Sequence, residues 1–220
     1  MKWLLATGVA VLCVLVALAA GLGIANRDGG DSSREGTSFE HPSDGPYRGS
    51  EPPGRIELVD FELRDYTGVV VRSSGLRGKV VVLTFLDSQC TESCPVIASQ
   101  IGRAFDLLSA GERRRVYAVA ISTDPKEDTA ASVRTFLREN RALGELHYVG
   151  GGEPEPKLRR IWKQFNILSS LESGEDTLHS APVRIYSEGI WVATLHAGVD
   201  LTPANLVHDV RVALNESSRD

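Results

Sequence analysis

Cysteine is scarce in this sequence, and positive charge is not in excess. Of three cysteines among 220 residues, Cys13 lies in an apolar N-terminal run, and only Cys90 and Cys94 stand close together. One close pair cannot supply the disulfide framework of a small secreted protein. The net charge of −5 gives no electrostatic footprint for nucleic acid, so no nucleic-acid partner is expected. These absences leave the Cys90–Cys94 pair as either a redox centre or a set of metal ligands.

Residues 3–25 form an uncharged, largely apolar run that follows Lys2. A run of this length can span a lipid bilayer, which predicts a single-pass membrane anchor. The small residues Ala17 and Ala19 resemble a cleavage site, so a signal peptide is the alternative, although the length favours an uncleaved anchor. Leu12 is too large for the residue that precedes a lipoprotein cysteine.

The location of the remaining chain is inferred from this N-terminal run. Lys2 precedes the run, whereas Arg27 and Arg34 come after it, so basic residues do not fix the orientation. An N-terminal anchor or signal normally exports the domain attached to it, which places the domain on the extracytoplasmic side, or makes it secreted if the leader is cleaved. No basic presequence precedes the run, which favours a bacterial cell membrane over a mitochondrial location.

The composition divides the chain into four parts. Residues 1–25 are the predicted anchor or signal peptide, and residues 26–55 are rich in Gly, Ser, Pro and acidic residues, which predicts a disordered linker. Residues 56–214 carry the periodic apolar patterns of a folded domain, and residues 215–220 form a polar tail.

The thiol pair comes directly after the most apolar strand of the predicted domain. Residues 80–85 are rich in β-branched and aromatic types, which predicts a buried strand. Cys90 and Cys94 come next, and Pro95 suits the first turn of a helix. A helix N-terminus stabilises thiolate, and positions four apart at a helix start face the same side. Both sulfurs are therefore expected to point at one ligand, which for soft thiolates is Cu(I), zinc or an iron–sulfur centre.

The order of predicted elements indicates an α/β domain of three layers with a central mixed sheet. Thiols between the first central strand and its helix are typical of the thioredoxin-like fold. The predicted strands cover residues 56–63, 69–71, 80–85, 116–122, 146–149, 183–186 and 190–196, and helices are predicted after Pro95, after a Thr129 cap, around residues 158–165 and after Thr202.

His179 is the candidate third ligand. It lies in a polar loop just before the strand at Val183, and in a thioredoxin-like sheet this loop passes the junction that carries the thiols. His147, His196 and His208 lie in or beside predicted strands and helices, where a structural role is the more common one.

The domain resembles the Sco family, also named SenC or PrrC, of thioredoxin-like copper-binding proteins in cytochrome c oxidase assembly. The resemblance rests on the Cys90–Cys94 pair with Pro95, on residues 121–125 (Ile-Ser-Thr-Asp-Pro) with Asp128 and Thr129 just after, and on His179-Ser180. Thr91 stands where the family usually has proline, and residues 86–89 also depart from its usual pattern, so the chain resembles a divergent member.

The resemblance implies that copper is bound by Cys90, Cys94 and His179, and that Asp124 lies near the metal unless it serves only as a turn residue. It also implies a role as a metallochaperone, or as a thiol reductase, for the dinuclear copper site of cytochrome c oxidase subunit II. The alternative is a general extracytoplasmic thiol–disulfide oxidoreductase, in which Cys90 and Cys94 are the catalytic pair. A peroxidase and a binding domain with an incidental cysteine pair are the remaining alternatives. Thioredoxins further carry a cis-proline beside the thiols, and Pro182 lies at the matching place.

Overall fold

A computed structural model describes residues 45–167 and 181–218 of the chain. The predicted anchor at residues 3–25 and the candidate ligand His179 lie outside the described residues. Within those two ranges, no helix combines the length and the apolar character that crossing a lipid bilayer requires.

The described residues form a mixed five-stranded sheet with helices, preceded by a small hairpin. The strand order is β5-β4-β3-β6-β7, in which β3, β4 and β5 are parallel, β6 runs antiparallel to β3, and β7 runs antiparallel to β6. This arrangement confirms the predicted α/β class and the mixed sheet. The strands are β1 (Glu62–Arg64), β2 (Val70–Arg72), β3 (Val80–Leu86), β4 (Val116–Ser122), β5 (Leu146–Val149), β6 (Val183–Ser187) and β7 (Ile190–Leu195), and the helices are α1 (Ser93–Leu107), α2 (Ala110–Arg115), α3 (Ala130–Glu139), α4 (Glu155–Gln164) and α5 (Pro203–Glu216).

Strand β3 is the centre of the core. All seven of its residues are buried, and six of the seven in its parallel neighbour β4 are buried as well. A strand with no exposed side chain must be covered on both faces, which is the usual position of a parallel strand in a layered α/β domain. The thiols come directly after the most deeply buried strand, so the position of that strand fixes where they emerge.

Local sequence explains where the helices begin. The apolar stripe that predicts α1 is buried as expected at Ile97, Ile101 and Phe105. The Thr129 hydroxyl accepts the Ser132 N–H and caps α3, and the Thr202 hydroxyl accepts the Asn205 N–H and caps α5. Such side-chain caps satisfy backbone N–H groups that have no partner within the helix.

Short backbone pairings cover part of each edge of the sheet. Ser50 and Glu57 form bridges to Thr194 and Ile190 along the outer strand β7. At the opposite edge, Asp65 forms a bridge to Val149 of β5. The segments before and after β1 are thereby held against the two outer strands.

Several sequence predictions at the ends of the domain are wrong. Packing begins well before residue 56, because Tyr47 is buried and the buried carboxylate of Asp209 accepts the Arg48 and Gly49 N–H groups at 2.8 and 2.9 Å. The part of the predicted linker from residue 45 onward is therefore folded. The predicted polar tail at residues 215–220 begins inside α5, which extends to Glu216.

Three further differences concern single elements. The predicted strand at residues 56–63 is reduced to β1 at Glu62–Arg64, because Glu57 makes only an isolated bridge. Helix α2 is not predicted, because none of its residues is buried and it has no apolar stripe. Every peptide bond of the described ranges is trans, including Ala181–Pro182, so this position does not reproduce the cis-proline of thioredoxins.

Candidate functional site

The two thiols lie on either side of the point where α1 begins. Cys90 is half-buried in the loop after β3, whereas Cys94 is the second residue of α1 and is buried. The expectation that both sulfurs sit on one helix face is therefore wrong in detail. They nevertheless converge, because the Cys90 and Cys94 side chains share a hydrogen bond. Loop geometry, and not helical periodicity, brings the sulfurs together.

Cys90 is the acidic member of the pair. Its hydrogen bond with Cys94 is the largest influence, and it lowers the pKa of the Cys90 thiol to about 5. The backbone N–H groups of Cys94 and Glu92 and the Ser93 side chain lower that pKa further, while partial burial opposes them. These N–H groups can donate to the thiolate because they lie at the beginning of a helix, where no earlier turn supplies a carbonyl acceptor. Cys90 is thus a thiolate at neutral pH.

Cys94 is the protonated member of the pair. The hydrogen bond to Cys90, together with burial, raises the pKa of the Cys94 thiol well above its ordinary value. The Asp87 backbone N–H is hydrogen-bonded to the Cys94 side chain and works in the opposite direction. One proton is therefore held between the two sulfurs, on Cys94, and the negative charge is held on Cys90.

Asp87 places a titratable carboxyl group next to the two thiols. Burial raises the pKa of the Asp87 carboxyl to about 6, although a hydrogen bond from the Gln89 N–H at 2.7 Å opposes the shift. Repulsion from Asp128, Asp124 and the Cys90 thiolate contributes to the same rise. The departure from the usual family pattern in residues 86–89 therefore puts a carboxyl group beside the sulfurs.

A buried hydrogen-bond network centred on the Asp128 carboxylate holds the loop that carries the thiols. Asp128 is 1% exposed, and its Oδ1 accepts the Ser88 N–H at 2.8 Å. Its Oδ2 accepts the hydroxyls of Ser122 at 2.6 Å and Tyr148 at 2.7 Å. Burial raises the pKa of the Asp128 carboxyl, and the hydrogen bonds from Ser122, Ser88 and Tyr148 counteract that rise.

Asp124 serves as a turn residue and lies near the thiol loop. Its Oδ1 accepts the N–H groups of Lys126 and Glu127, both at 3.3 Å, which makes it a turn residue. It also lies close enough to Asp87 to raise the pKa of that carboxyl. The end of β4 and the thiol loop are therefore neighbours, as the order of the elements predicts.

Two of the other histidines contact neighbouring side chains, and the candidate ligand lies outside the described residues. His147 stacks on Tyr117 with ring centroids 4.2 Å apart, and His208 Nδ1 lies 3.0 Å from Asp209 Oδ1. His179 belongs to the part of the chain that the structure does not describe. Among residues 45–167 and 181–218, no three His, Cys, Asp or Glu side chains gather into a cluster that could hold a metal ion.

Sequence reasoning does not find the network beneath the loop. Asp128 stands directly before the Thr129 cap and resembles part of a helix start, while Tyr148 resembles one more core residue of a strand. Their hydrogen bonds join positions 20 and 40 residues apart, a separation that no local pattern reports. The sequence gives two indirect signals: Asp128 stands directly before a cap residue, and it belongs to the motif on which the family resemblance rests.

Comparison with protein families gives one match that covers most of the chain. A family model described as SCO1/SenC matches residues 51–214. Among curated proteins, a candidate copper-binding protein of Stutzerimonas stutzeri is 30% identical over 115 residues, which is 52% of this chain and 54% of that protein. A SCO2-like protein of Rickettsia conorii is 23% identical over 117 residues, 53% of this chain and 55% of that protein. The chain spans about half the length of the curated relatives it matches.

Solved structures establish the fold. Apo Sco1 of Thermus thermophilus superposes with a TM-score of 0.62 at 22% identity, and covers 76% of this chain and 96% of its own. Copper-bound ScoI of Bradyrhizobium japonicum gives a TM-score of 0.57 at 22% identity, over 72% of this chain and 99% of its own. These likenesses confirm the predicted thioredoxin-like α/β fold with its central mixed sheet.

Proposed function

The chain belongs to the SCO1/SenC family, and from that premise we propose that it binds copper through Cys90, Cys94 and His179 and serves in the assembly of cytochrome c oxidase. Relatives support the proposal: Sco proteins of Bradyrhizobium japonicum, Arabidopsis thaliana and yeast have been solved with copper bound. A further structural relative, BsSco, is described as a member of the Sco family of cytochrome c oxidase assembly proteins.

The observation that carries the proposal is the thiol pair at the beginning of α1, in which Cys90 is ionised. Copper is the cargo here, and Cu(I) prefers soft thiolate ligands. Cys90 already carries the negative charge, with a pKa of about 5, and Cys94 presents a second sulfur within hydrogen-bond reach of the first. The donor set therefore fits Cu(I), because one ligand is ionised at neutral pH and the other needs to lose only the proton it shares.

In this proposal His179 supplies a neutral imidazole as the third ligand. Copper binding releases the Cys94 proton, so affinity rises with pH until that thiol is ionised. Transfer to a partner then proceeds by exchange of ligands, and the partner we propose is the dinuclear copper site of cytochrome c oxidase subunit II. We further propose that residues 1–25 anchor the chain in a bacterial cell membrane with the domain outside the cytoplasm. One structural relative, from Bacillus anthracis, is described as a lipoprotein.

The alternative is a thiol–disulfide oxidoreductase, which the asymmetry of the pair favours. The Cys90 thiolate attacks a disulfide of the partner and forms a mixed disulfide, which releases one partner sulfur as a thiolate that takes up a proton. The Cys94 thiol then loses its proton and attacks the Cys90 sulfur, which releases the second partner thiol. The partner gains two electrons, and the Cys90–Cys94 pair becomes a disulfide. A low-pKa thiol beside a buried, protonated one matches the attacking and resolving roles.

Anaerobic titration of the reduced full-length chain with Cu(I), against a chromophoric competitor, tests the proposal. We expect one tightly bound Cu(I), and we expect His179→Ala to weaken binding by more than the roughly 10–100-fold that loss of an outer-shell partner costs. His147→Ala is the matched control, because that imidazole stacks on Tyr117, and should bind like wild type.

Each other outcome of the titration is informative. If wild type takes up no tightly bound Cu(I) but reduces a disulfide substrate readily, the copper proposal fails and the oxidoreductase alternative stands. If His179→Ala binds Cu(I) as tightly as wild type, His179 is not a ligand. Of the three assigned residues, only Cys90 and Cys94 then bind the metal.

A further inference from the structure

We propose that Asp128 is a positioning residue for the thiol pair, because its buried carboxylate holds the loop between β3 and Cys90 in the shape that keeps the Asp87 backbone against the cysteines. The inference rests on the proposed function only in taking Cys90 and Cys94 as the working pair. Its test uses no copper, so a failed copper titration and a failed positioning role are distinguishable.

The Asp128 carboxylate is satisfied entirely by groups that surround the thiol loop. Ser88, two residues before Cys90, donates its backbone N–H to Oδ1 at 2.8 Å. Ser122 at the end of β4 and Tyr148 in β5 donate their hydroxyls to Oδ2 at 2.6 and 2.7 Å. One carboxylate therefore ties the thiol loop to the ends of two neighbouring strands. Hydrogen bonds to a buried charged group are the strong ones, since they replace lost hydration.

The beginning of the loop is held by the same network. Tyr148 Oη lies 2.7 Å from the carbonyl oxygen of Leu86 as well as from Asp128 Oδ2, and its single hydrogen is shared between the two acceptors. The Thr123 N–H donates to the same Leu86 carbonyl at 2.9 Å. With Leu86 fixed on one side and the Ser88 N–H fixed on the other, the peptide of Asp87 has little freedom.

That constraint matters because of where the Asp87 peptide points. Its carbonyl accepts the Cys90 N–H at 3.3 Å, and its own N–H is close enough to the Cys94 sulfur to act against the rise in the pKa of that thiol. A single residue thus contacts both cysteines through its backbone. Any change that releases Ser88 therefore loosens the contacts of Asp87 with both cysteines, although Asp128 itself touches neither.

The turn after β5 also restricts the position of Asp128. A Cβ on Gly151 would lie 2.1 Å from the Asp128 carbonyl oxygen, so only glycine allows the turn after β5 to approach this closely. The neighbouring Gly152 N–H donates to the Pro125 carbonyl at 2.7 Å. The turn after β5 therefore packs tightly on the backbone of Asp128, which restricts how far the segment that carries the carboxylate can move.

The experiment measures the equilibrium constant of the Cys90–Cys94 pair against glutathione, in the full-length chain carrying Cys13→Ser. In Asp128→Ala the Asp87 N–H no longer stabilises the reduced Cys94 thiol, and the constant should shift toward the disulfide by about tenfold, near the upper limit for one hydrogen bond to a neutral group. Tenfold corresponds to a reduction potential lower by about 30 mV. Asp128→Asn keeps an oxygen for the Ser88 N–H and should restore the constant to within about threefold of wild type.

Asp209→Ala is the matched control. Asp209 is also a fully buried aspartate that accepts backbone N–H groups, those of Arg48 and Gly49, but it belongs to α5 and the N-terminal segment. Its removal should lower stability and leave the glutathione equilibrium unchanged. A shift in Asp209→Ala as large as that in Asp128→Ala would overturn the proposal, since the effect would then arise from destabilisation alone.

Two further results would also overturn the positioning role. One is a folded Asp128→Ala protein whose constant lies within threefold of wild type. The other comes from amide hydrogen exchange of the wild-type protein, which is informative even if Asp128→Ala does not fold. The Ser88 N–H should be protected at least a hundredfold relative to an unstructured peptide, and exchange at the unprotected rate would show that the Asp128 bond does not hold the loop.

Discussion

Replacing Cys94 by serine and by alanine separates the two sources of the low pKa of Cys90. The hydrogen bond with the Cys94 side chain is the largest cause of the shift to about 5. A serine hydroxyl can still donate to the thiolate, whereas alanine cannot. A hydrogen bond to a charged group contributes about 1.5–3 kcal/mol, and one pKa unit corresponds to about 1.4 kcal/mol, so alanine should raise the Cys90 pKa by about one to two units.

The midpoint of the titration is the quantity to measure, and not the rate of alkylation at one pH. With a pKa of about 5, Cys90 is nearly all thiolate at pH 7, against about 3% for an ordinary thiol with a pKa of about 8.5. Intrinsic nucleophilicity falls with pKa, with a Brønsted coefficient of about 0.4–0.5, so over about 3.5 units the gain of roughly 30-fold in thiolate is almost fully offset. Rates at neutral pH would therefore resemble those of an ordinary thiol even if the pKa is strongly lowered.

Thiolate absorbance at 240 nm, recorded from pH 3 to pH 10 in reduced proteins that carry Cys13→Ser, gives the midpoint directly. We expect wild type and Cys94→Ser to titrate within about one unit of each other, and Cys94→Ala to titrate one to two units higher. Equal midpoints in the serine and alanine variants would refute the role of the Cys94 hydrogen bond. A wild-type midpoint near 8.5 would refute the assignment of Cys90 as the thiolate.

Two further predictions concern stability. In urea unfolding, Gly102→Ala should lower the free energy of unfolding by about 1–3 kcal/mol, because its Cβ would lie 2.2 Å from the Arg141 carbonyl oxygen. Gly111→Ala, where no atom lies nearer than 3.9 Å to the new Cβ, should raise it by about 0.5–1 kcal/mol. Equal effects of the two substitutions would contradict the close approach at Gly102. Folding lowers the pKa of Cys90, so the unfolded chain binds more protons than the folded chain between about pH 5 and 8.5. Reduced wild type should therefore gain stability relative to Cys90→Ser as pH rises through that window. A stability difference between the two proteins that does not change with pH would contradict the lowered pKa.

Local patterns predict the elements that are buried and periodic. Strand β3, the stripe of α1 and the Thr129 cap can be derived from side-chain spacing alone, and the structure confirms each. Helix α2 escapes prediction because it buries no residue, although Ser109 and Glu112 form a capping box that the sequence displays. The packed segment at residues 45–50 escapes prediction for a different reason: its attachment uses backbone N–H groups on Asp209, which composition cannot report.

The site divides in the same way. The pair Cys90 and Cys94 is predicted from spacing and from the strand before it, and the structure brings the two sulfurs together. The prediction that both belong to one helix face is wrong, because the chain enters α1 only at Ser93. The support that Asp128 and Tyr148 give to the loop depends on contacts across the sheet, which no periodicity encodes.

The pairings at the two outer strands bear on how the protein avoids aggregation. An uncovered strand edge is a template for pairing with another chain, and a twisted sheet with two such edges can grow from both. Here Ser50 and Glu57 occupy part of the β7 edge, and Asp65 occupies part of the β5 edge. A chain shortened to begin at residue 56 would leave the part of β7 around Thr194 open to intermolecular pairing. The composition of residues 45–55 indicates a dispensable linker, but their pairing with β7 covers a strand edge that could otherwise pair with the sheet of another molecule.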